Sequence, residues 1–159
     1  LSYTSTMKTL IITLTFIQSL AYTSPQKFIC TDGYISNLRS GPDANAGLVT
    51  QLPKYTPLIV LEENEGWTKV KSKSFEGWIF NKLLDNSYTC VLSTKSYKTH
   101  ESYTSSTEHK YRENVLTVEG FKILQTEVGM TKVKDKSGNE FWLENHILWP
   151  KNNLKSLSL

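Results

Sequence analysis

Short apolar runs alternate with polar punctuation through much of the chain. Leu48 to Leu52, Leu58 to Glu62, Trp67 to Lys71 and Gly77 to Phe80 are rich in β-formers and bounded by Gly, Pro, Asn or Ser. No segment after the first twenty residues carries the three-and-four spacing of an amphipathic helix of useful length. With the segment around Tyr34 to Leu38, these runs predict about five strands in roughly 55 residues. So small a unit must close its sheet to bury a core and hide its edges, which predicts an all-β fold and a five-stranded barrel. Alternation then assigns faces: Thr68 and Val70 share one side of their strand, and Trp67, Lys69 and Lys71 the other. Lysines stay in water, so Val70 points inward and Trp67 lies on the wet side. A large aromatic there is either a contact surface or a cover for a barrel end or joint.

The pattern recurs. Gly66-Trp67-Thr68-Lys69-Val70-Lys71 returns as Gly129-Met130-Thr131-Lys132-Val133-Lys134, 63 residues later. A polar turn follows each copy, then Trp78-Ile79 or Trp142-Leu143, then Leu83-Leu84 or Ile147-Leu148. Upstream, Pro57 to Leu61 answers Gly120 to Leu124. Two units are expected, 28–92 and 93–150, with the boundary near Ser93 and a frayed tail at 151–159.

The N-terminal segment has a different character. Met7-Lys8, the apolar run Leu10 to Ile17, and small residues at Ser19 and Ala21 read as a secretory signal peptide over 1–21. Leu1 to Thr6 read as an over-extended start ahead of Met7. The run is too short for a spanning helix, which needs about 20 apolar residues. Export implies oxidising surroundings, and Cys30 and Cys90 are then a disulfide or two unpaired buried thiols. Bridged, they would close a loop of about 60 residues, which the chain-entropy model values at roughly 4 kcal/mol.

Asn37-Leu38-Arg39-Ser40-Gly41-Pro42, followed by Gly66-Trp67-Thr68-Lys69-Val70 and Gly77-Trp78-Ile79, resembles the bacterial SH3 (SH3b) family in both order and spacing. The second unit keeps the Gly-x-Thr-Lys-Val-Lys strand, Trp142 and the ending Leu148-Trp149 but lacks the opening motif. The whole, roughly Gly33 to Pro150, is similar to the exported tandem SH3-like proteins of Gram-negative bacteria. This resemblance implies two small SH3-like five-stranded barrels in tandem, binding peptides or cell-wall material and usually performing no chemistry. It implies that Gly41-Pro42 makes a sharp turn, while Arg39 pins the loop or meets an acidic ligand, and Trp78 packs or serves as a platform. Because the two ends of such a barrel lie close together, it also implies that Cys30 and Cys90 clasp the base of unit one.

Chemistry finds little support. His100, His109 and His146 lack metal-ligand spacing, and the first two read as solvated loop residues. Glu62, Glu63 and Glu65 read as a solvated acidic loop, and no glycine-rich phosphate loop is present. From Tyr22 to Ser93 seven basic residues balance seven acidic ones, and from Thr94 onward ten face eight, an ordinary surface with no nucleic-acid footprint. The expectation is a non-enzymatic, monomeric periplasmic protein without metal or cofactor. It would bind peptidoglycan or peptides through Tyr34, Arg39, Tyr55, Trp67 and Trp78 on an outer groove of unit one. The alternative is an envelope adaptor, or a targeting subunit for a cell-wall enzyme.

Overall fold

The computed structural model describes residues 25–95, 97, 99–100, 109–110 and 119–154. The expected signal peptide, 1–21, lies outside the described residues. Among those described there is no α-helix, only strands and short 3-10 turns, and no helix long and apolar enough to cross a membrane.

The first sheet contains β1 (Phe28–Thr31), β2 (Ile35–Arg39), β3 (Leu48–Pro53), β4 (Pro57–Asn64), β5 (Trp67–Lys71), β6 (Glu76–Phe80) and β7 (Leu84–Asp85). The second contains β8 (Cys90–Ser93), β9 (Thr99–His100), β10 (His109–Lys110), β11 (Gly120–Thr126), β12 (Met130–Lys134), β13 (Glu140–Glu144) and β14 (Leu148–Trp149). The pairings given for both sheets are antiparallel, and the orders are β3-β2-β6-β5-β4-β1-β7 and β10-β9-β13-β12-β11-β8-β14. The second order is the first advanced by seven strands.

Each sheet therefore has seven strands where five were expected. Two pieces are extra in each sheet: β7 and β14 have two residues each, below the four or so alternating positions that a periodicity reading needs, and β1 and β8 have four each, at that limit.

The repeated motif owes its spacing to one local device. Gly66 and Gly129 take φ of 73° and 84°, a left-handed conformation that costs glycine little, and so turn β4 into β5 and β11 into β12. The Thr68 hydroxyl then donates to Asn81 Oδ1 at 2.7 Å, and the Thr131 hydroxyl to Asn145 Oδ1 at 2.6 Å. The Asn81 and Asn145 N–H groups donate in turn to the carbonyls of Gly66 and Gly129. Each asparagine opens a 3-10 turn, Asn81–Leu83 or Asn145–Ile147, which is thereby tied to the hairpin. Both long strands also shift register at matching places, between Val60 and Glu62 and between Ile123 and Gln125.

The cores differ more than the strands. Leu38, Leu52, Leu58, Val70 and Ile79 fill the first, with Ile29, Leu83 and Leu84 against them. The second packs Val91, Tyr97, Phe121, Val133, Phe141, Leu143, Ile147 and Leu148. Val70 and Val133 are fully buried, as alternation required.

Cys30 and Cys90 are bonded, with Cα atoms 6.1 Å apart, but not as a clasp on unit one. Cys90 opens β8, which pairs with β11 and β14, so the bond joins the first sheet to the second. The chain passes between sheets at residues 86–89, ahead of the Ser93 boundary that the repeat suggested. Pairing register gives the reason. Cys30 lies opposite Pro57 and Leu92 opposite Gly120, so the counterpart of Cys30 in the second sheet is Leu92 rather than a cysteine. Around the bond, Tyr55 and Tyr88 meet edge to face at 5.5 Å, and Lys122 lies over the Tyr88 ring at 4.6 Å. A Cβ on Gly120 would stand 2.3 Å from the Lys54 carbonyl oxygen, so only glycine lets β11 approach this closely. Burial, and then the Asp32 carboxylate that accepts from its hydroxyl at 2.9 Å, push the Tyr88 phenol well above the usual range and keep it a donor.

Three further expectations need correction. Glu62 and Glu63 lie on β4 opposite Lys69 and Thr68, because the register shift carries the strand past its apolar half. His100 and His109 are backbone partners in the β9–β10 pairing instead of lying in loops. Of the tail, residues 151–154 form a 3-10 turn: Leu154 packs on the second core and the Asn153 amide donates to the Cys90 carbonyl at 2.8 Å. Residues 155–159 lie outside the described residues.

Candidate functional site

Directly opposed residues in antiparallel strands share a face. Val70 opposes Gly77, and Thr68 opposes Ile79, all on the inner side. Lys69 opposes Trp78 and Trp67 opposes Phe80, on the outer side. Trp78 in turn opposes Arg39, Arg39 opposes Leu48, and Lys69 opposes Glu62. One row therefore runs Leu48, Arg39, Trp78, Lys69, Glu62 across five strands. Beside it, Phe80 and Trp67 continue to Asn64, while Asn37 and Gln51 oppose each other at the same level of β2 and β3.

This outer face gathers three aromatic side chains. The Trp67 and Phe80 rings are 5.5 Å apart and tilted by 53°, and Trp67 and Trp78 are both half-buried. Phe80 is 36% exposed, and Leu48 55%. Both cations of the rows make contacts within the protein. Lys69 pairs with Glu76 at 3.2 Å, and Lys82 lies over the Phe80 ring at 5.9 Å. Arg39 donates through Nη1 to the Ala46 carbonyl at 2.8 Å, closing the loop from Ser40 to Gly47, whose own ends bond N–H to carbonyl.

Arg39, Trp67 and Trp78 thus share one face, and Arg39 does pin its loop. Tyr34 is 65% exposed in the bend before β2, with Lys136 of the second sheet over its ring at 5.1 Å. Tyr55 is the exception. It is 9% exposed, takes φ of 65°, and lies with Cys30, Cys90 and Tyr88 in the seam between sheets, so it is a packing residue and not part of an outer groove. Its N–H donates to the Thr31 carbonyl at 2.9 Å, which holds the unusual backbone in place.

Phe80, Asn37, Gln51 and Leu48 are additions that the chain alone did not single out. Phe80 has the same parity as Trp78 and was within reach of period-two reasoning. Asn37 and Gln51 meet only because of the β2–β3 register, which no local pattern encodes.

The same face of the second sheet is poorer in rings. Met130 opposes Glu144, where Trp67 opposes Phe80. Trp142 stands opposite Lys132 and His100, matching Trp78, but is only 8% exposed. Glu140 binds both Lys132 and Lys134, and Glu144 pairs with His146. Among the described residues no group of three or more His, Cys, Asp or Glu is placed to hold a metal ion.

No curated protein matches the chain. Among solved structures it is similar to NlpC2 from Trichomonas vaginalis, at 14% identity and a TM-score of 0.35, covering 80% of this chain and 49% of that one. It is also similar to NlpC1 from the same organism, at 14% identity and a TM-score of 0.37, covering 87% of this chain and 51% of that one. The chain spans about half the length of these two structures. Residues 33–85 match the bacterial SH3 domain family, a stretch that runs from the bend before β2 to the end of β7 and contains every residue of the outer aromatic face.

Proposed function

We propose that the chain is a non-catalytic binding module that recognises peptidoglycan or a peptide ligand on the outer face of its first sheet. In this reading the two sheets are tandem SH3-like barrels, 1–21 is a cleaved signal peptide, and the mature protein is a periplasmic monomer. The observation that carries it is the grouping of Trp67, Trp78 and Phe80 on the solvent side of one sheet. Rings spent on packing alone would be expected on the inner side, which here is aliphatic. The bacterial SH3 match over the same residues and the disulfide, a bond at home in oxidising compartments, support the setting.

Sedimentation with purified sacculi tests the proposal. The mature protein is expected to pellet with them, and Trp67→Ala to lower the apparent affinity at least tenfold. A protein that stays in the supernatant overturns it. Exposed Ile35, Leu48 and Val49 on β2 and β3 favour a second reading, a protein–protein adaptor of the envelope. Failure to sediment, together with a stable partner recovered by pull-down, would select that reading.

A further inference from the structure

We infer that the outer face of the first sheet takes a neutral glycan strand, a β-linked chain of N-acetylhexosamines, and not the ionic peptides attached to it. This deepens the proposed function and rests on it.

Charge is the first reason. A carboxylate-bearing peptide is held best by a cation free to form a charge-assisted hydrogen bond. Here Lys69 is paired with Glu76 and faces Glu62, Arg39 spends one N–H on the Ala46 carbonyl, Lys71 stands opposite Glu76, and Lys82 lies over Phe80. Glu62 and Glu76 stand beside these cations, so the rows carry little net charge to attract an anion.

Neutral amides stand beside these charges. The Gln51 side-chain N–H donates to Asn37 Oδ1 at 3.1 Å, which uses one donor and one acceptor of the pair. The other amide N–H and C=O groups can give and take hydrogen bonds, as sugar hydroxyls and acetamido groups require. Asn64 lies at the far end of the same row, beyond Phe80 and Trp67. The amides therefore flank the rings on both sides.

Rings supply the third reason. One face of a β-linked pyranose carries axial C–H bonds and no hydroxyl, and polarised C–H groups are attracted to the negative face of an aromatic ring. Trp78 lies two residues along β6 from Phe80, ~7 Å away at strand rise, while Trp67 is one strand across. The aromatic surface therefore extends in two directions and offers more than one stacking position. Met130 and Glu144 occupy the matching places in the second sheet, so that face lacks the platform.

The probe is tetra-N-acetylchitotetraose, titrated into the full mature protein while the four tryptophan indole N–H signals are followed by NMR. The oligosaccharide is expected to shift the Trp67 and Trp78 signals and leave Trp142 in place, and Asn37→Ala and Trp67→Phe each to weaken binding at least threefold. A free wall tetrapeptide at the same concentration is expected to shift neither. If the tetrapeptide moves these signals and the sugar does not, the inference is overturned while the proposed function stands. If neither probe moves them and the protein also fails to sediment with sacculi, both fall. Sugar-induced shifts confined to Trp142 or Trp149 overturn the assignment of the face.

Discussion

The two sheets share a strand order but distribute their aromatic side chains differently: on the outer side the second keeps only Trp142 of the three ring positions, and buries it. In the first, Trp67, Trp78 and Phe80 stand outside an aliphatic core of Leu38, Leu52, Leu58, Val70 and Ile79. In the second, Tyr97, Phe121 and Phe141 fill the inside, while Met130 and Glu144 occupy the outer positions. Register makes the exchange explicit: Leu58 corresponds to Phe121 and Gly77 to Phe141, while Tyr97 precedes His100 by as many residues as Ser36 precedes Arg39. What stays fixed is the turn glycine, the Thr–Asn hydrogen bond behind it and the register shift in the long strand. A few local devices thus set the topology, and cores of different composition fit within it. One sheet kept an outward surface suited to contact; the other put its rings to packing.

The largest expected effect concerns the bond between them. The double variant Cys30→Ala/Cys90→Ala frees a loop spanning 60 residues, which the chain-entropy model values at about 4 kcal/mol. Because the bond links sheet to sheet, its loss should also separate their unfolding. Fluorotryptophan NMR in urea is expected to show Trp67 and Trp78 losing native signals at a different midpoint from Trp142. A single, unmoved midpoint would mean that the Tyr55–Tyr88 seam couples the sheets without help.

Next comes the seam. Gly120→Ala would place a methyl 2.3 Å from the Lys54 carbonyl oxygen, and neither backbone is free to yield. The expected cost is about 1–3 kcal/mol by overpacking. Exchange protection at the Tyr55 and Ile123 amides, which bond to Thr31 and Thr89, should fall with it. An unchanged melting temperature would show that the sheets can shift apart freely, and the comparison would then be between two independent modules.

Much of this was legible in the chain because it is local. The runs Leu48 to Leu52, Trp67 to Lys71 and Gly77 to Phe80 fall within a residue or so of β3, β5 and β6. The face of Trp67 followed from the lysines beside it. The order of blocks pointed to the family that residues 33–85 match. What was not legible depends on pairing between distant segments. Whether Cys90 closes one sheet or opens the next cannot be told from spacing, since residues 86–89 allow either. Tyr55 was expected on the outer groove, but the Cys30–Cys90 bond and Tyr88, brought against it between the sheets, bury it. Of the candidate ligand residues, Arg39, Trp67 and Trp78 come together, while Tyr34 lies apart in the bend before β2.

A smaller effect tests the exchange of core volume. Ser36 is fully buried, and among the described residues its hydroxyl has no hydrogen-bond partner. At the corresponding place in the second sheet, the Tyr97 hydroxyl donates to Glu119 at 2.8 Å. A lone buried hydroxyl costs about 1 kcal/mol or more, so Ser36→Ala is expected to raise stability by about that amount. Urea unfolding decides it. A loss of stability would show that the hydroxyl is satisfied, and that this position of the first core is polar for a reason.

The smallest effect separates the charged outer faces. Among the described residues Glu76 pairs with Lys69 alone, whereas Glu140 is shared by Lys132 at 3.0 Å and Lys134 at 3.2 Å. Hydrogen bonds from Lys132 and then Lys134 lower the Glu140 carboxyl below its ordinary value of 4.5. For a carboxylate lowered in the folded state, the contribution is complete above the unfolded value and disappears as pH falls through the folded one. Acidification from above pH 4.5 should therefore weaken the second sheet, and Glu140→Gln should remove that part of the dependence. The group is exposed, so the change will be modest and will shrink in high salt. It is best read as the side-chain carboxyl titration of Glu140 by NMR alongside the acid limb of a melting-temperature curve. A titration midpoint at or above 4.5 would show that the two lysines do not hold the carboxylate in solution. The second face would then be charged without being ordered, and the contrast with the first would reduce to its rings.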